Sequence, residues 1–162
     1  MKRVACGIFC VLVAAGAFAQ DRQNYFNDPM LQVTSGLPNC PAPVLAGMTE
    51  AEMKAATHMR AEQGGSCFRA GRCRLPGSYL YDREIIPRMK VYLTQDDRYA
   101  NTSIWVLGQR RLVTLMGCVK DEQQSQELEG AVMLVDDVAG VINELMVGTE
   151  GQPRYNTAHN KP

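Results

Sequence analysis

The chain has 162 residues, with 17 Lys and Arg against 17 Asp and Glu, for a formal net charge of zero. That balance excludes nucleic acid as a global partner, because phosphate binding needs a summed positive field; any anion site has to be local. The length suits one modest domain with an accessory segment rather than two large domains.

Lys2 and Arg3 precede an apolar run from Val4 to Ala17 that closes on Ala17-Phe18-Ala19. This is the pattern of a secretory signal peptide over residues 1–19, with cleavage after Ala19. A membrane anchor is the alternative, but the run falls short of the roughly 20 apolar residues that span a bilayer. Neither Cys6 nor Cys10 has the Leu-Ala-Gly type approach of a lipid-anchored cysteine. Loss of Lys2 and Arg3 leaves an exported chain that is slightly acidic.

Cys40, Cys67, Cys73 and Cys118 survive processing. In an exported chain an even number of cysteines reads most simply as disulfides, and four cysteines permit three pairings. Cys67 and Cys73 flank Ala70-Gly71, which can fold back, so that pair is favoured and Cys40 is left with Cys118. A four-cysteine zinc site competes, but the C-x2-C knuckle spacing is absent. The same missing C-x-x-C argues against thioredoxin-type chemistry. No metal and no cofactor are expected.

Residues 20–47 are rich in Asn, Gln, Pro and Gly and predict an extended arm. Residues 48–81 predict a short helix and a cysteine loop. Thr49-Glu50-Ala51-Glu52 is a capping box, Ala51, Ala55, Met59 and Glu62 follow at helical spacing, and Gly64-Gly65 ends the run. This helix has little apolar bulk and has to dock on something else. Three arginines, Arg69, Arg72 and Arg74, then crowd the cysteine loop beside Phe68, Tyr79 and Tyr81. In one reading Arg69, Arg72, Arg74 and Phe68 meet an anionic lipid surface or an acidic partner, since guanidinium forks match phosphate oxygens. In the other the arginines pair with the chain's own carboxylates or stay solvated.

From residue 82 to 148 the period switches are sharp. Asp82 is a candidate cap for a helix over 83–95, whose Ile85, Met89 and Leu93 form one apolar stripe, and Pro87 predicts a late start or a distorted first turn. A hairpin turns near Gly108-Gln109-Arg110. Its strands send Ile104, Val106, Val113, Leu115 and Val119 to one face and Trp105, Leu107, Thr114, Met116 and Cys118 to the other. A second helix is predicted over 121–135, then a last strand. Residues 149–162 predict a flexible tail.

Val113-Thr114-Leu115-Met116-Gly117-Cys118-Val119, a helix, and then Val138-Ala139-Gly140-Val141-Ile142-Asn143-Glu144-Leu145-Met146-Val147 resembles the BON domain family of bacterial envelope proteins. The likeness covers about residues 82–148, and Asp137 departs from it where the family commonly has glycine. The resemblance implies an α+β fold, a small αββαβ sandwich with a three-stranded mixed sheet and two helices on one face. Upstream of it lies an N-terminal segment, helix and loop, tied on by disulfides. It also implies a periplasmic location and a role in envelope integrity through binding phospholipid or protein.

No catalytic set is visible. His58 lies on the charged side of a short helix and His159 in the polar tail, and no Gly-x-Ser-x-Gly elbow or phosphate-cradling glycine loop is present. Asp96-Asp97 and Asp136-Asp137 read as solvated caps. The chain is therefore expected to be a non-catalytic binding module for anionic phospholipid. The alternative is a structural component of an envelope or secretion assembly with an envelope protein as partner, monomeric or homodimeric. Because both hairpin faces are apolar, residues from about Cys40 to Tyr81 are expected to form a lid over the Trp105 face, with a second copy of the chain as the alternative cover.

Overall fold

In a computed structural model that describes residues 21–159, one four-stranded sheet organises the chain. The expected leader, residues 1–19, lies outside the described residues. The elements in order are β1 (Met30–Gln32), α1 (Glu50–Glu62), α2 (Gly65–Arg69), α3 (Asp82–Thr94), β2 (Ser103–Gln109), β3 (Leu112–Val119), α4 (Glu122–Met133) and β4 (Gly140–Val147). The sheet order is β1-β2-β3-β4, antiparallel except for the parallel β3–β4 pair. From α3 onward this is the αββαβ order read from the sequence.

The expected count of three strands is corrected by β1. Met30, Leu31 and Gln32 pair with Leu107, Val106 and Trp105 at the free edge of the hairpin. Three residues in a Pro- and Asn-rich arm are too few to show a period; pairing with an existing strand, rather than local propensity, makes them extended. The arm stays attached beyond β1, where the amide of Val33 donates to the Ile104 carbonyl at 2.8 Å.

One face of the sheet carries the main core. Ile85, Ile86, Met89 and Leu93 of α3 and Leu128, Ala131 and Val132 of α4 pack on Ile104, Val106, Val113, Leu115 and Val119. This is the face assigned by strand alternation. Pro87 sits inside α3 rather than delaying it, and a 3-10 turn at Ser78–Leu80 leads directly into the helix. Gly117 of the β3 motif has φ +121, and a Cβ there would come within 2.0 Å of the Ser103 carbonyl oxygen. Only glycine lets the two strands approach that closely.

Asp82 does not cap α3. It is almost wholly buried, and its two carboxylate oxygens accept from the backbone amides of Arg110 at 2.8 Å and Arg111 at 2.7 Å. Those two arginines form the hairpin turn, one position later than expected, with φ of 61 and 68. A two-residue turn with both φ positive suits the strand twist but favours Asn-Gly. Here the acceptor on α3 satisfies both turn amides and holds two arginines in the left-handed region. Burial pushes the Asp82 carboxyl up, opposed by these two hydrogen bonds.

The opposite sheet face is covered as well. Leu107 and Met116 pack with Tyr155, and Met30, Leu45 and Trp105 lie against them. The cover is a short lid: Pro43 pairs with Thr157, the Val44 amide donates to the Asn156 carbonyl at 2.8 Å, and the disulfide Cys40–Cys118 anchors it to β3. The expected lid of residues 40 to 81 is thus corrected to residues near 43–48 together with part of the C-terminal stretch. Tyr155 belongs to that stretch, which was read as a flexible tail, yet it is buried and donates to the Pro41 carbonyl at 2.8 Å. Burial pushes its hydroxyl up to about 12. An aromatic ring with a satisfied hydroxyl outweighs the polar composition around it.

Candidate functional site

The second disulfide, Cys67–Cys73, closes the basic loop. α2 enters it, and the amides of Gly71 and Arg72 bond back to the carbonyls of Phe68 at 2.9 Å and Cys67 at 3.0 Å. The loop is therefore fixed by its own backbone as well as by the bridge. Phe68 stays 44% exposed at its tip. Arg69 and Arg72 are exposed and make no ion pair among the described residues.

Arg74 has a different role. Its Nη2 reaches Glu84 Oε2 at 2.7 Å and Asp137 Oδ2 at 3.1 Å, and its guanidinium lies 5.2 Å from the Tyr81 ring. The bond to Arg74 draws the Glu84 carboxyl below its ordinary range. Asp137 adopts φ +71 and also meets Arg88 Nη1 at 3.6 Å. The structure thus brings Arg69, Arg72 and Phe68 together on an exposed loop and takes Arg74 away into a clamp. The neighbouring tyrosines are taken too. Tyr81 is buried and accepts from the Leu75 amide at 2.8 Å, and Tyr79 stacks on Arg60.

Sequence reasoning missed the structure beneath this loop. The expected docking stripe of α1, Ala51, Ala55 and Met59, faces outward, and Met59 is 55% exposed. The inward residues are Met53, Ala56 and Arg60. Arg60 grips Asp28 with both guanidinium nitrogens at 2.6 Å, between the rings of Phe26 at 4.0 Å and Tyr79 at 4.1 Å. A bidentate, ring-stacked pair orients the helix more strongly than a stripe of alanines does. Beside it lies a mainly apolar groove of about 460 Å³, floored by Phe26 and Pro29 and edged by Leu80 and Arg83. Leu80 is 45% exposed. Nothing in the pattern around Arg60 or Asp28 signals the pair, because its partners are 32 residues apart.

His58 and His159 are both exposed, on α1 and in the C-terminal stretch. No helix among the described residues is long and apolar enough to cross a membrane.

Residues 85–149 match the family model for the BON domain. That match starts inside α3 and runs past the end of β4, so α1, α2 and the basic loop lie outside it. Curated proteins give no match to the chain. BON domains are generally non-catalytic binding domains typical of periplasmic and envelope proteins.

Proposed function

We propose that this chain, built on a BON domain at residues 85–149, is a non-catalytic module of the periplasm that binds anionic phospholipid surfaces and so contributes to envelope integrity. The observation that carries this reading is the loop closed by Cys67–Cys73, with Arg69 and Arg72 exposed and unpaired among the described residues beside exposed Phe68. Two free guanidinium groups next to an aromatic ring suit a headgroup layer: the forks bond phosphate and the ring enters the interface. Leu80 and Met59 add exposed apolar surface within the same helix and loop segment.

Co-sedimentation with phosphatidylglycerol vesicles tests it. Binding should fall with salt, and each arginine removed in Arg69→Ser and Arg72→Ser should weaken it by about 1 kcal/mol. Arg74→Ser should act through stability instead. Salt-independent retention, or retention unchanged in the double variant at low ionic strength, would overturn the loop as the contact.

A second reading, a component of an envelope protein assembly, is favoured by β4. Its outer edge pairs with no strand among the described residues, and Ile142 and Val147 are exposed along it. The strand has eight residues without proline or lysine, and although the Leu145 amide donates to the Asn143 side chain at 3.1 Å, the rest of that edge is a template for a partner strand. Crosslinking from β4 to one defined envelope protein, with no vesicle binding, would favour it.

A further inference from the structure

Between the lid and the sheet lies a cavity of about 340 Å³. Its floor is the sheet face that carries Leu107, Met116 and Glu144, its roof is the stretch around Leu45, and Arg154 stands at its mouth. Opposite charges therefore line one cavity, and each lacks a partner. The Glu144 carboxylate makes no hydrogen bond and no ion pair among the described residues, and burial pushes its carboxyl up with nothing to oppose the shift. Arg154 is exposed and equally unpaired. No ion pair joins the two across the intervening space.

Two further acceptors converge on the same space. Gln109 turns its amide nitrogen to Asp28 Oδ2 at 2.7 Å, which leaves its carbonyl oxygen without a donor. The Thr114 hydroxyl also lines the cavity with no bond to protein among the described residues. In the sheet, Thr114 is opposite Ile142, two positions before Glu144 on the same face of β4, so the hydroxyl and the carboxylate are diagonal neighbours. A carboxylate, an amide oxygen and a hydroxyl match the three N–H donors of a primary ammonium and not a quaternary one. The apolar walls of Leu107, Met116 and Leu45 raise the cost of leaving that carboxylate unpaired.

We propose that the cavity under the lid binds a small zwitterion, its primary ammonium on Glu144, Gln109 and Thr114 and its anionic group on Arg154. The volume is at the low end of ligand sites, which limits the occupant to a small molecule or one headgroup. Two sources share this chemistry: free amino-acid-like zwitterions, and the ethanolamine phosphate head of a phospholipid. The site lies away from the Cys67–Cys73 loop and stands whether or not that loop meets a membrane.

The test is titration of the purified protein with O-phosphoethanolamine, glycine, ethanolamine and inorganic phosphate, followed by calorimetry and by amide shifts at Thr114 and Glu144. The zwitterions should bind saturably, and the half-ligands at least about tenfold more weakly. Glu144→Gln should weaken zwitterion binding at least about tenfold, and it removes only an uncompensated charge, so the variant should fold. Arg154→Gln, at an exposed position, should weaken O-phosphoethanolamine but leave ethanolamine unchanged. The sources separate in a background with Arg69→Ser and Arg72→Ser. Retention on phosphatidylethanolamine but not phosphatidylcholine vesicles supports the headgroup, and soluble binding without retention supports the free zwitterion. No saturable shift with either zwitterion, or unchanged affinity in Glu144→Gln or Arg154→Gln, overturns the proposal.

Discussion

Arg60 and Asp28 meet through two parallel bonds of 2.6 Å at side chains only 11% and 7% exposed, which fastens α1 to the arm that leads into β1. Removing one member strands the other in a site sheltered by Phe26 and Tyr79. Asp28→Ala should cost about 3 kcal/mol in urea unfolding, and Asp28→Ala with Arg60→Met less than the sum of the single changes. Strict additivity would mean that the pair contributes nothing.

The hairpin turn depends on α3. Asp82→Ala orphans the amides of Arg110 and Arg111 and should destabilise by about 2 kcal/mol. Arg110→Asn relieves the positive φ without removing that acceptor, and should raise the melting temperature slightly.

Gly117→Ala meets a backbone oxygen rather than a movable side chain, at a φ that alanine avoids. The variant should lose at least about 4 kcal/mol, visible as loss of soluble protein or of the cooperative transition. A melting temperature within a few degrees of the parent would show that β2 and β3 can separate there at little cost.

The two disulfides should differ in weight. Cys40–Cys118 spans 78 residues and Cys67–Cys73 spans 6. Loop-closure entropy assigns about 4 kcal/mol to the first and about 2 kcal/mol to the second. Cys40→Ser with Cys118→Ser should also red-shift Trp105 fluorescence as the lid loosens, whereas the Cys67 and Cys73 pair should leave it unchanged.

Two carboxylates should titrate against stability with opposite signs. The Glu144 carboxyl is raised by burial, so its contribution is fully present below the unfolded value near 4.5 and is lost as pH rises through the folded value. Glu144→Gln should therefore melt higher than the parent at neutral pH and equally at low pH. Glu84 is lowered by Arg74, so its contribution is present above the unfolded value and is lost as pH falls through the folded one. Glu84→Gln should melt lower at neutral pH and converge with the parent in acid.

Much of the domain was legible because its signals are local. Strand alternation separated Val113, Leu115 and Val119 from Thr114, Met116 and Cys118, and the stripe of Ile85, Met89 and Leu93 located α3. The capping box at Thr49 and Glu52 is formed as read, with the Thr49 amide donating to Glu52 at 2.8 Å. Three failures share one cause: the deciding partner is distant in sequence. β1 is a strand only beside β2, Asp82 serves a turn 28 residues away, and Tyr155 is buried only because Pro41 and Met116 meet it. The loop was legible as a charged cluster, but which arginine stayed free was not, since Asp137 lies 63 residues from Arg74.

Neither α1 nor α2 buries a single residue, so the segment they form has no core of its own and is held by a few fastenings to the domain. Such a segment opens at a lower free energy than the sheet beneath it. Yet it cannot drift away: Cys40–Cys118 tethers one end and continuity into α3 the other. Release of Arg60 from Asp28 is thus an intramolecular event whose reversal is set by tether length, not by protein concentration. The loop bearing Phe68, Arg69 and Arg72 then gains freedom to tilt while the sheet stays folded.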